Sequence, residues 1–334
     1  MNMARLPRKL KILGGSAATI CVSASLVAGA APPAPQATIT SLNGALAAVS
    51  AGSATDAWAV GQTRTRKTLA LHWNGTSWAQ VPTPAPGTFG SLLSGVTEIS
   101  PTNVWAVGAS EGSGSAALVL HWNGMSWARV PTPSSGVSGL SGVSAVSATD
   151  VWAVGRDLTS TIGKTLVLHW DGRTWTQVSS PSPGSDNQLF GVHMTSATDG
   201  WAVGLESNSV GQDLTLVLHW DGTSWTQVSS PSPGNGGQLT AVSALTGSDA
   251  WASGLTFTDA GGEGTLLLHW NGTSWTQVPA PSPSPGGSTG GSFLNGVAMV
   301  GTADVWSAGG TVFDSTGQER TLLLHWNGTS WTRF

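Results

Sequence analysis

Short apolar runs, each ended by Gly, Asn, Asp or Pro, recur from about residue 42 to the C-terminus, and no stretch carries the apolar period of a helix. The third of these units shows the pattern plainly. Leu140 to Val146, Val151 to Val154, Thr165 to Trp170 and Thr174 to Val178 are rich in Val, Leu, Thr and Trp, which predicts four strands. The same unit returns six times, in phase with His72-Trp73, His121-Trp122, His169-Trp170, His219-Trp220, His269-Trp270 and His325-Trp326, at spacings of 48 to 56 residues. Each unit carries three Trp, from Trp58, Trp73 and Trp78 in the first to Trp306, Trp326 and Trp331 in the last.

Asn74-Gly75 between the third and fourth strands predicts a two-residue type I′ turn, with Asp171-Gly172 and Asp221-Gly222 in the same role. That register would set Trp73 against Thr76, His72 against Ser77 and Leu71 against Trp78, with apolar residues on both sheet faces. A sheet apolar on both faces needs a neighbouring sheet on each side, and radial closure supplies them. The Pro-rich segments fit such a ring. A return from outer to inner strand crosses about 14 Å, and five polyproline residues such as Pro82 to Pro86 reach about 15 Å. The sequence therefore predicts an all-β, six-bladed β-propeller with one four-stranded antiparallel blade per repeat, over about residues 42–87, 88–136, 137–184, 185–234, 235–286 and 287–334. Because each repeat already holds four strands, no strand exchange between the termini is needed, although Ala37 to Thr40 could add pairing.

The N-terminus changes the picture of where this ring works. Arg5, Arg8, Lys9 and Lys11 precede a weakly apolar run from Ile12 to Ala30 that ends in Ala28-Gly29-Ala30, a signal-peptide pattern with cleavage before Ala31. Residues 1–30 are read as that signal peptide and 31–41 as a short linker, giving a secreted or surface-associated protein. Cys21 follows Ile20, where a lipoprotein signal needs a small residue, so a lipid anchor is set aside. Without Cys21 the chain holds no cysteine, which excludes disulfides and thiolate chemistry. Removing the four leader cations takes the net charge from −4 to −8, a balance that argues against nucleic acid or an anionic membrane as partner. A monomer is expected.

The succession Asp150-Val-Trp-Ala-Val-Gly155, a loop, and Leu166-Val-Leu-His-Trp-Asp-Gly172 followed by Trp175 resembles the kelch or galactose-oxidase-type propeller repeat, and also tandem repeats of secreting soil bacteria. The resemblance covers residues 42 to 334 and implies fold and blade order. It departs from kelch in its Gly-Gly pair, matched only at Gly309-Gly310, and in having no Tyr.

The repeated polar residues read as structural. Equivalent His on adjacent blades would lie roughly 10 Å apart, whereas ligands of one metal sit about 2 Å from it, so no metal and no cofactor is expected; the Ser or Arg opposite would partner each His. Asp56, Asp150, Asp199, Asp249 and Asp304, with Asn103 in the remaining copy, read as turn formers. Asn74, Asn271 and Asn327 open Asn-Gly-Thr sequons whose letters the hairpin itself requires. The Trp set reads mainly as core, each burying about 150–250 Å².

Function is expected where the copies differ. The connections between second and third strands, Gln62 to Lys67, Ala109 to Ser115, Arg156 to Lys164, Leu205 to Asp213, Leu255 to Gly264 and Thr311 to Arg320, vary in length and share one face of the ring. Loops on a rigid scaffold commonly carry recognition. Ligand-binding candidates there are Arg64, Arg66, Lys67, Asp157, Glu206, Asp213, Glu263, Glu319 and Arg320. Glu98 and His193 depart from the small or apolar residues of the other inner strands and would border the central channel. The leading reading is a non-enzymatic binding or adhesion module for an extracellular polysaccharide or protein. A rival is a glycan hydrolase or lyase, whose two acids about 5–9.5 Å apart would come from Glu98 with Glu111 or Glu206, and His193 as a further catalytic candidate. Copper-oxidase and sialidase chemistry of the usual kinds needs Tyr, which the chain lacks. A third reading is a structural scaffold.

Overall fold

The computed structural model describes residues 22–24, 43–112, 114–133, 136, 138–258, 262–283, 290–313 and 318–334. The expected cleavage site at Ala28 to Ala31, the linker 31–41 and the pairing at Ala37 to Thr40 lie outside the described residues. The rest is strand and turn. Six blades run over residues 44–80, 90–130, 138–177, 186–227, 237–277 and 291–333, each with four antiparallel strands in sequence order. In the third blade they are Ser138–Ser147, Asp150–Asp157, Lys164–Trp170 and Trp175–Gln177. The fold is the all-β, six-bladed propeller that the repeat predicts.

The Ala-Val-Gly signature has a steric cause. The inner strand of each blade carries a bulge opposite this Gly, as between Leu140 and Gly142, and a Cβ on Gly155 would lie 2.0 Å from the Gly139 carbonyl oxygen. The turn between third and fourth strands differs from the expected hairpin. Trp73 pairs with Trp78, His72 with Ala79 and Leu71 with Gln80, so the loop has four residues rather than two. Only Gly75 adopts a positive φ, 86°, whereas a type I′ turn needs two such residues. Asn74 closes the loop with its side chain instead: Oδ1 accepts the backbone N–H of Thr76 at 3.0 Å and of Ser77 at 2.9 Å. Asp171 and Asp221 bond in the same way.

Adjacent blades meet through a repeated aromatic cluster. The second-strand Trp and the His paired to it face the next blade, while the third- and fourth-strand Trp face the preceding one. Thus Trp58 packs on Trp122 at 5.0 Å and edge-on to Trp127 at 5.1 Å, and Trp152 meets Trp220 at 4.7 Å and Trp225 at 5.6 Å. Val, Leu and Ala complete these five junctions, and the second-strand Trp within them are at most 2 % exposed. Ring pairs of this kind add about 0.5–1.5 kcal/mol each beyond area burial.

The seam between blades six and one is built differently. Among the described residues the first blade's outward cluster of Ala59, Leu69 and Leu71 gathers no residue of blade six, and Trp78 is only half-buried. Trp306, also half-buried, packs on Phe334 of its own blade at 5.4 Å. Strand Val22–Ala24 runs parallel to Val49–Ala51 and packs near the inner strand of blade six.

Candidate functional site

The repeated histidines find a partner other than the one expected. Each ring Nε2 bonds the residue that opens the second strand: His72 to Asp56 at 2.7 Å, His169 to Asp150 at 2.9 Å, His219 to Asp199 at 2.8 Å, His269 to Asp249 and His325 to Asp304 at 2.9 Å, and His121 to Asn103 at 2.9 Å. The expected Ser or Arg opposite is replaced because the third strand pairs the second along its full length, which carries the His ring across the second-strand Trp toward that Asp. Trp58 and His72 stack at 4.4 Å. The Asp residues are therefore hydrogen-bond acceptors of a Trp-His-Asp unit as well as turn formers. His121, which has Asn103 and no carboxylate beside it, is held below the ordinary imidazole range by burial. Among the described residues no group of three or more His, Cys, Asp or Glu is placed to hold a metal ion.

On the opposite face the ladders of second and third strands run farther out than the sequence suggests. Their pairing continues through polar positions, so Glu111, Asp157, Glu206, Asp213, Glu263, Glu319 and Arg320 lie in strand ends and not in free loops. Arg64, Arg66 and Lys67 remain in an exposed turn, Arg66 at φ 61°. Arg66 pairs with Glu111 across the junction of blades one and two, and Arg156 pairs with Asp186 across that of blades three and four. Asp213 accepts a bond from Ser207, and Asp157 caps Thr159 N at 2.8 Å. Glu206 and Glu263 are raised above the usual carboxylate range by burial. Glu206 borders a depression of about 460 Å³ shared with Pro183, Ser185, Asn208, Leu214 and Gln227.

Glu98 and His193 sit on inner strands, as the sequence implies, but they form no pair with the loop carboxylates. Glu98 lies opposite Val104 near one end of its blade, and Glu111 closes the other end of the same second strand. Seven strand residues separate these levels, about 24 Å, far beyond the separation a carboxylate-pair glycosidase uses. Glu206 occupies the far face as well, so neither acid completes a pair with Glu98. Glu98 instead bridges blades. Its Oε2 accepts Gly52 N–H at 3.1 Å and its own N–H donates to Ser50 Oγ at 3.0 Å. Burial, reinforced by the nearby Asp56 carboxylate, pushes Glu98 up to about 7. His193 is pushed down to about 4 by burial, against the weaker pull of the Ala244 backbone and Asp199.

A second depression, about 370 Å³, lies at the junction of blades four and five, between Ser229 to Pro231 and the turn from Trp270 to Trp275. No feature of the repeat alone singles it out. It has a Ser in place of the Pro found after the same Val in the first, second and fifth blades, a change it shares with Ser179 of the third blade.

No protein-family model matches the chain, and no curated protein matches it in sequence. Solved structures do share its shape. YCF48 bound to D1 peptide aligns over 87 % of this chain and 81 % of its own at TM-score 0.53 and 14 % identity, and YCF48 from Cyanidioschyzon merolae over 88 % and 85 % at 0.52 and 17 %. A fungal lectin from Aleuria aurantia, described as a six-bladed β-propeller with a novel fucose recognition mode, aligns over 85 % and 92 % at 0.51 and 13 %. What the chain shares with them is the propeller fold.

Proposed function

We propose that the protein is a secreted, non-enzymatic binding propeller that recognises an extracellular polysaccharide or protein through the face bearing the loops between second and third strands. One observation carries the reading: this face breaks the sixfold repetition in length and charge, and it holds the concave site around Glu206 on a scaffold locked by Trp clusters. Structures of like fold bind a peptide in one case and a fucosyl glycan in another, which supports a glycan or protein ligand. The wide separation of Glu98 from Glu111 favours binding over glycoside hydrolysis. Residues 1–30 direct export and are removed before Ala31, leaving a monomer free of the membrane, and the repeat is kelch-like in its Asp-Val-Trp-Ala-Val-Gly and Leu-Val-Leu-His-Trp pattern. The test is to replace Asn208 to Gln212 with Gly-Ser and measure retention on immobilised polysaccharides and peptide arrays. Loss of retention with an unchanged melting temperature is expected; retention untouched by this and by replacement of Arg64 to Lys67 would refute the loop face.

A further inference from the structure

The depression at the junction of blades four and five has the surface chemistry of a sugar subsite rather than of a general crevice. Its size is at the low end of small-molecule sites, about 300–1,000 Å³, which suits one ring. Trp270 is half-buried and rests on Trp201 at 4.9 Å beside Trp275 at 5.9 Å, so its indole is a rigid platform. Its ring N–H already donates to the Gly247 carbonyl at 3.0 Å, leaving ring surface as what it offers. Hydroxyls border that surface: Ser229, Thr273 and Ser274 are exposed, while Ser230 is engaged with Thr215 at 2.8 Å. The exposed Thr273 hydroxyl donates to Asn271 Oδ1 at 2.8 Å, which leaves its oxygen as an acceptor. No charged side chain lines the site.

An apolar aromatic face bordered by hydroxyl donors and acceptors, without charge, complements a neutral pyranose. Its axial C–H face covers the indole and its hydroxyls replace water on the rim. The junctions of blades one to four and of blades five and six each lack at least one component. Pro82, Pro131 and Pro279 stand where Ser229 does, Met125 and Arg173 enter two of the turns, and Trp220 is only 9 % exposed at the junction of blades three and four. We propose that the groove between blades four and five binds one neutral pyranose residue per chain, stacked on Trp270. The inference rests on the reading of the protein as a binding propeller, and it places a glycan contact on the outer wall, away from the loop face.

The experiment is calorimetric titration of the full chain with the methyl pyranosides of glucose, galactose, mannose, fucose and xylose. Ser229→Arg, Ser274→Arg and the Gly-Ser replacement of Asn208 to Gln212 are run beside wild type. Both serines are exposed, so the Arg variants fill the groove without entering the core, and unchanged melting confirms it. The expected result is binding of at least one sugar at one site per chain, weakened about tenfold or more, roughly 1.4 kcal/mol, by either Arg and unchanged by the loop replacement. Binding that survives both Arg variants but is lost with the loop would overturn the groove and leave the binding propeller intact. Binding that survives all three variants would also overturn the groove. No binding of any of the five sugars at millimolar concentration would overturn the groove, and with concurrent loss of polysaccharide and peptide retention the propeller reading would fall too.

Discussion

The six Trp of the second strands are equivalent in sequence and unequal in surroundings, so the same substitution at two of them has two different costs. Trp152 is 2 % exposed, touches His169 of its own blade and meets Trp220 and Trp225 across a closed junction. Its replacement by Ala removes a whole buried indole and leaves a cavity, for about 3–5 kcal/mol. Trp306 at the seam is half-buried and, among the described residues, its ring contacts are His325 and Phe334 of its own blade, with Phe334 itself 71 % exposed. Part of its area is already in water, and neighbours there can relax, so about 1–2 kcal/mol is expected from area alone. The difference, about 2 kcal/mol, corresponds to about 3 °C in melting temperature for a chain of this size. Differential scanning calorimetry of Trp152→Ala and Trp306→Ala at one pH reads it directly. Equal losses would refute the account, since they would mean that the seam between blades six and one is packed like the other five.

Two further outcomes follow from titrating groups. Glu98 is raised in the folded state from 4.5 to about 7, so its contribution to stability is present in full below pH 4.5 and is lost as pH rises through 7. Taken without screening the loss is ~3 kcal/mol, and partial exposure of the carboxyl reduces it to about 1 kcal/mol. Glu98→Gln should therefore melt higher than wild type at pH 8.5 and close to it at pH 4.5, and an identical offset at both would contradict the assignment. Asn103→Asp should raise His121 by giving it the carboxylate that the other five histidines have, measured by NMR titration of the ring; a His121 that stays low would show that burial alone governs it.

Much of this structure is legible in the sequence because the repeat states it six times. Strand positions, blade number and the buried Trp set follow from periodicity, and the five junctions cover both sheet faces of blades two to five. The turn at Asn74 was not legible in detail, since Asn-Gly satisfies a two-residue hairpin and a four-residue Asx loop with the same letters. The His partners have a signal that local strand grammar does not weigh: an Asp or Asn stands 16 to 21 residues before each of the six repeated His. The charges between second and third strands look like loop residues in the sequence because they are polar, whereas backbone pairing continues through all of the candidates but Arg64, Arg66 and Lys67. Glu98 stood out as a departure from the inner-strand pattern, but its contacts to Gly52 and Ser50 belong to the neighbouring blade and no local spacing encodes them.

The most direct test of a binding propeller is to incubate the purified full chain with a panel of wall and plant polysaccharides, reading retention and new reducing ends in the same tubes. A binding propeller gives retention without release, in wild type and in Glu98→Gln alike. Release of reducing ends that Glu98→Gln abolishes would contradict it and make the protein a glycan-cleaving enzyme.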